Sequence, residues 1–163
     1  MPKDELFIIL HNIRSVLNVG AIFRTADAVG ASKIFLCGYT PTPEDNRIKK
    51  TALGAEKFVP WEKHLQTWRV LEKLKEDGVQ IVALERFDKL TASKLKIRTQ
   101  NIFSFKPKFP LVLVLGNEVK GLSLQILKYA DKIIAIPMYG QKESLNVSVA
   151  FGIVAYKIIE NKK

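Results

Sequence analysis

Short apolar runs alternate with stretches of helical spacing along the whole chain. Leu6–Leu10, Lys33–Cys37, Gln80–Leu84, Pro110–Leu115 and Lys132–Ile136 are brief and rich in Ile, Val, Leu and Phe, and they lack polar alternation. A strand that is apolar on both sides belongs in a sheet covered on both faces. Between these runs, Asn18 is placed to cap a helix reaching about Val29, with Gly30 as its stop. Leu65, Trp68, Leu71 and Leu74 recur every third residue and predict a second helix that ends at Gly78. Ser123 begins a short helix containing Leu124 and Leu127, and a last helix runs from about Asn146 to Asn161. Strands alternating with helices predict an α/β fold, a mostly parallel sheet with helices on both faces, forming one domain over residues 1–163. Gly38–Arg47 and Thr91–Pro110 read as long loops.

Composition narrows this picture. With 47% hydrophobic residues among 163, the chain can fill a real core. Its single cysteine, Cys37, cannot form an internal disulfide, which excludes a disulfide-stapled secreted fold. The start lacks the basic-then-apolar signature of a signal peptide, and no apolar run approaches a membrane span. A cytoplasmic protein without a membrane partner is expected. His11 and His64 have no partner at metal-ligand spacing, so no metal site is predicted.

The formal charge of +10 favours a polyanionic partner such as nucleic acid, although excess lysine also simply maintains solubility. The strongest local bias lies between Arg86 and Pro110. Arg86, Lys89, Lys94, Lys96, Arg98, Lys106 and Lys108 face one acid, Asp88, and are interleaved with Phe87, Phe103, Phe105 and Phe109. Cations with aromatic rings are the equipment of single-stranded nucleic-acid sites. The same pattern also describes a solvated loop whose phenylalanines anchor it to the core.

Ligands of open α/β sheets bind beyond the carboxyl ends of the strands. Two predicted strands end in unusual loops there, Gly116–Ser123 and Pro137–Asn146. The first has the Gly-x4-Gly spacing of a phosphate-binding loop, but Leu122 stands where the lysine belongs and Glu118 would repel phosphates. A nucleotide triphosphatase is therefore disfavoured, and no dinucleotide fingerprint follows any strand. Glu118 between two glycines either accepts hydrogen bonds in a site or opens the following helix as a dipole-favoured acid. Arg24 sits among Val19, Ala21, Ile22, Phe23 and Ala26, where it either meets an anionic partner or lies on the exposed side of an amphipathic helix. Ser144, Asn146 and Ser148 alternate with apolar residues after Gly140.

Three segments taken together resemble the SpoU (TrmH-type) branch of the SPOUT RNA methyltransferases. They are Asn12–Ala26, reading NIRSVLNVGAIFRTA; Leu115–Leu122, reading LGNEVKGL; and Ile136–Gly140 (IPMYG) followed by Ser144–Ala150 (SLNVSVA). They occur in the family order and span nearly the whole chain. The resemblance implies a C-terminal trefoil knot, S-adenosylmethionine as cofactor and a homodimer. It implies methyl transfer to a ribose 2′-hydroxyl of RNA, with tRNA slightly favoured over rRNA. A non-catalytic RNA-binding relative of the same fold is the alternative.

Carried over residue by residue, the resemblance makes Arg24, Asn18, Glu118, Ser144 and Asn146 catalytic-site residues. It makes Leu115, Gly116, Asn117, Gly121, Ile136, Met138, Gly140, Ser144, Leu145 and Asn146 the cofactor loops. Arg14, Arg24, Arg86, Lys94, Lys96 and Arg98 are the candidate RNA contacts.

Overall fold

The computed structural model describes residues 3–87, 93–160 and 162. Asp88, Lys89, Thr91 and Asn161, which enter the sequence reading, lie outside these residues. Seven strands form one sheet: β1 (Leu6–His11), β2 (Lys33–Cys37), β3 (Trp61–His64), β4 (Gln80–Leu84), β5 (Thr99–Asn101), β6 (Leu111–Leu115) and β7 (Lys132–Ala135). Their spatial order is β3-β2-β1-β6-β4-β7-β5, and every pair is parallel. All five predicted strands are present. The two that the apolar pattern misses, β3 and β5, are the sheet edges. Their residues are mostly half-buried, so no continuous apolar run is needed there.

Helices cover both faces. The first face carries α1 (Val16–Ala28), α2 (Asn46–Ala52) and α5 (Val147–Ile159), whose Ile22, Phe23, Ile48, Phe151 and Val154 pack on Ile8, Leu10, Leu36 and Leu113. The other carries α3 (Thr67–Glu76) and α4 (Leu124–Leu127), whose Val70, Leu71, Leu74, Ile126 and Leu127 pack on Phe7, Ile9, Val112 and Val114. Cys37 is buried in this second layer, and burial pushes its thiol up to about 11.

Several local expectations are corrected. The N-cap of α1 is Ser15, not Asn18: Ser15 is extended and its hydroxyl accepts from the Asn18 N–H at 3.2 Å, which leaves Asn18 inside the first turn with its side-chain amide not used in capping. In α3 the buried positions are Thr67, Val70, Leu71 and Leu74; Leu65 precedes the helix and is 81% exposed, and Trp68 is only partly covered. A period of three drifts off the face of a 3.6-residue helix, so only Leu71 and Leu74 stay buried. The first long loop runs at its last two residues, Asn46 and Arg47, into α2, a helix that the charges of Arg47, Lys49 and Lys50 conceal in the apolar pattern. In the second loop Phe105 is buried and Phe109 packs against the core, so these rings anchor the segment, whereas Phe87 and Phe103 are exposed.

Two glycines carry particular weight. A Cβ on Gly20 would lie 2.0 Å from Thr51 Oγ1 and 2.3 Å from the Ile48 carbonyl, so α1 and α2 cross in backbone contact there. Gly38 (φ +64°) leaves its Cβ position to the Asn12 amide oxygen. Gly20→Ala is expected to cost about 1–3 kcal/mol of stability through overpacking. For a chain of this size that lowers Tm by roughly 2–4 °C per kcal/mol, and thermal unfolding measures it.

Candidate active site

Four neighbouring strands, β1, β6, β4 and β7, deliver their carboxyl ends to one edge of the sheet. The loop after β6 is closed on itself. Asn117 Oδ1 accepts from the N–H groups of Val119 and Lys120 at 2.9 and 2.8 Å, and its Nδ2 donates to the Asn12 carbonyl at 3.0 Å and the Tyr39 hydroxyl at 2.9 Å. A Cβ on Gly116 would stand 2.6 Å from the Gly121 backbone. Gly121 has φ +65°, and its Cβ position is only 2.6 Å from the Glu85 carboxylate. Both glycines are therefore required by the turn. Glu85, just past β4, also accepts from the Leu122 N–H at 3.2 Å.

The turn aims Glu118 at the start of α1. Its carboxylate accepts from the N–H of Arg14 at 3.2 and 3.1 Å, from the N–H of Ser15 at 3.1 Å and from the side-chain amide of Asn18 at 3.3 Å. Partial burial alone would raise its pKa. The N–H bonds from Arg14, Ser15 and its own backbone, with the Asn18 amide, outweigh burial and hold the carboxyl below its ordinary value. Asn18 is held at its other end as well, since its Oδ1 accepts from Asn146 Nδ2 at 3.1 Å. Asn146 in turn caps α5, taking the N–H of Ser148 at 2.9 Å and the Ser148 hydroxyl at 2.6 Å on its Oδ1. The relay Glu118–Asn18–Asn146 thus joins residues 100 and 128 positions apart in the chain.

Beside the relay lies a cleft of about 220 Å³. Of the residues expected at a cofactor site, Leu115, Gly116, Asn117, Gly121, Ile136, Met138, Ser144 and Leu145 line it, as does Glu118. Asn146 does not line it and acts from behind through Asn18. Gly140 is also outside the lining, and a Cβ there would meet nothing within 4 Å, so this position has no steric need for glycine. Arg24 is exposed on α1, is not among the residues lining the cleft, and forms no ion pair with the described residues. Among the expected RNA contacts, Arg14, Lys94, Lys96 and Arg98 are exposed. Arg86 instead lines the cleft and pairs with Glu143 at 2.8 Å.

Glu85 and Glu143 are cleft residues that the sequence reading missed. Glu85 directly follows a buried strand, as Gly116 does, and the carboxyl-end rule applies to it equally. Nothing in the sequence marks Glu143.

A profile of the SpoU rRNA Methylase family matches residues 5–156. The chain belongs to this family. The tRNA (guanosine(18)-2′-O)-methyltransferase of Aquifex aeolicus is 38% identical over 95% of this chain and 69% of its own length. A 23S rRNA (guanosine-2′-O-)-methyltransferase of Pseudomonas putida is 30% identical over 97% of the chain and 60% of its own length. The AdoMet-bound rRNA methyltransferase of Sinorhizobium meliloti superposes with a TM-score of 0.86 at 29% identity, covering 99% of this chain and 58% of that one. The chain therefore spans roughly three fifths to two thirds of the length of these SpoU relatives.

The lowered pKa of Glu118 fixes a pH dependence. Its folded value lies below its unfolded one, so its stabilisation is complete above the ordinary carboxylate range and is lost as pH falls through the folded value. Glu118→Gln is expected to lower Tm at neutral pH and to flatten the acid-side fall. Superimposable Tm–pH curves for the two proteins contradict this role. Gly140→Ala is expected to leave Tm unchanged, because its Cβ enters open space.

Proposed function

We propose that the chain transfers a methyl group from S-adenosylmethionine to a ribose 2′-hydroxyl of RNA, with tRNA favoured over rRNA. The observation that carries this reading is the Glu118–Asn18–Asn146 relay, which holds three polar segments at the rim of one cleft. A purely RNA-binding role gives that closed arrangement no task. Identity is higher to the tRNA enzyme of A. aeolicus than to the rRNA enzyme of P. putida, which supports tRNA.

The cleft suits the cofactor chemically. Leu84, Leu115, Ile136 and Met138 offer apolar surface for an adenine ring, while Glu85 places a carboxylate where a cationic molecule is favoured and Glu143 is already paired with Arg86. The Gly116–Leu122 turn adds backbone amides and carbonyls. When bound, S-adenosylmethionine supplies a methyl on a sulfonium, so the leaving group is a neutral thioether. What this chain must supply is orientation and charge for a weakly acidic hydroxyl. Asn18 is fixed by two hydrogen bonds, so its amide holds one orientation. Ser144 lines the cleft with its hydroxyl unengaged by described residues and is available to the ribose. A guanidinium is a donor and not a base, so Arg24 acts by stabilising developing alkoxide and phosphate charge, and the hydroxyl proton passes to the neighbouring RNA phosphate or to water as the oxygen–methyl bond forms and the sulfur–methyl bond breaks.

The reading includes the trefoil knot and a homodimer. The dimer is supported by an apolar stripe: Val149, Ile153 and Tyr156 lie one above another on the exposed side of α5, near exposed Leu17 and Leu145. Lys94, Lys96 and Arg98 serve as RNA contacts beyond the site.

Arg24→Ala is expected to retain cofactor binding by calorimetry while losing roughly 10²–10³-fold in turnover in a labelled-methyl assay on unmodified host tRNA and rRNA. Full turnover in this variant overturns the role of Arg24. Gly121→Ala, forced to φ +65° against Glu85, is expected to weaken cofactor binding about tenfold.

A further inference from the structure

A second, shallow recess lies on the far side of the Gly116–Leu122 loop, lined by Arg14, Tyr39, Asn117, Val119 and Lys120. Asn117, Val119 and Lys120 also line the cofactor cleft, so one loop is the wall between the two. Tyr39 is held firmly. Its N–H donates to Asn12 Oδ1 at 3.2 Å and its hydroxyl oxygen accepts from Asn117 Nδ2 at 2.9 Å. Asn12 itself adopts a left-handed conformation (φ 56°), and Gly38 yields its Cβ space to the Asn12 side chain. Yet the residue is 57% exposed. Packing explains a buried tyrosine but not a ring fixed at its backbone and its hydroxyl and left open to solvent.

The cations on either side are free. Arg14 and Lys120 are exposed, and neither side chain forms an ion pair with the described residues. The nearby carboxylate, Glu118, is committed to the N–H groups of Arg14 and Ser15 and to the Asn18 amide. An exposed tyrosine lining one recess with two unpaired cations and with an apolar Val119 that is 85% exposed is complementary to a single nucleotide: base on ring, phosphate on cation.

We infer that this recess binds one nucleotide of the substrate RNA adjacent to the methylated ribose, with its base stacked on Tyr39 and its phosphate between Arg14 and Lys120. The inference rests on the RNA methyltransferase reading above. It makes Tyr39 a determinant of RNA affinity that leaves the cofactor untouched.

The test uses single-stranded oligoribonucleotides carrying 2-aminopurine, titrated into the wild-type protein and into Tyr39→Leu, Tyr39→Phe and Lys120→Gln, with S-adenosylmethionine calorimetry and a methyl-transfer assay in parallel. Tyr39→Leu is expected to weaken oligonucleotide binding about 10- to 100-fold, and Tyr39→Phe, which keeps the ring, to restore it. Lys120→Gln is expected to reduce the salt slope by about 0.7. Cofactor affinity stays the same in the wild type and the two Tyr39 variants; Lys120 also lines the cofactor cleft, so Lys120→Gln is read on oligonucleotide binding alone. Wild-type affinity in Tyr39→Leu overturns the subsite. So does displacement by inorganic polyphosphate without any aminopurine quenching, which marks a phosphate site only, and so does a wild-type protein that binds no oligoribonucleotide. Tyr39-dependent binding without methyl transfer supports the subsite and refutes the catalytic reading, whereas methyl transfer with Tyr39-independent binding does the reverse.

Discussion

The site depends on one carboxylate. Glu118 lies in a loop after β6, yet beyond its own backbone its hydrogen bonds run to the chain that leads β1 into α1 and to the first turn of that helix. The first turn of a helix presents N–H groups that no helical carbonyl can satisfy, and the helix dipole adds positive potential there. Ser15 covers one of these N–H groups, and Glu118 takes those of Arg14 and Ser15 just ahead of it. A negative group is favoured at this spot over a neutral one, and its attraction fixes α1 relative to the β6 loop. With α1 placed, Asn18 is placed, and through Asn18 the start of α5.

The loop can deliver Glu118 only because it is built from residues with no freedom. Gly116 lies against the Gly121 backbone and Gly121, at positive φ, against the Glu85 carboxylate, so neither readily admits a Cβ, and Asn117 spends both ends of its amide holding the loop to itself, to Asn12 and to Tyr39. The same hydrogen bonds that shape the cofactor side of the loop therefore also position the tyrosine on its other side. Two adjacent concavities are consequences of one turn.

The architecture was largely legible in the chain because parallel strands buried on both faces leave an unbroken apolar signature. β1, β2, β4, β6 and β7 carry it, and the exposed edges β3 and β5 do not. The site was legible for a different reason. Gly116, Glu118, Asn18, Ser144 and Asn146 fall in segments whose wording matches a known family, but spacing alone left Glu118 divided between a helix-opening acid and a site carboxylate. The structure shows why both descriptions fitted: it serves the start of a helix, though of α1 rather than of the helix that follows it. What the sequence could not show was contact between distant segments. Asn18 reads as a cap because local capping is the commonest use of asparagine, and only the approach of Asn146 and Glu118 reveals a relay. Arg86 reads as part of a basic run, and only the fold puts it on the cleft opposite Glu143.

The proposed reaction at this edge of the sheet methylates a ribose oxygen rather than a base. The most direct measurement digests the RNA with alkali after incubation with methyl-labelled S-adenosylmethionine and locates the label. A 2′-O-methyl group blocks cleavage at its own phosphodiester, so the label is predicted in an alkali-resistant dinucleotide. Label released in mononucleotides, on a base, contradicts the function assigned to the site.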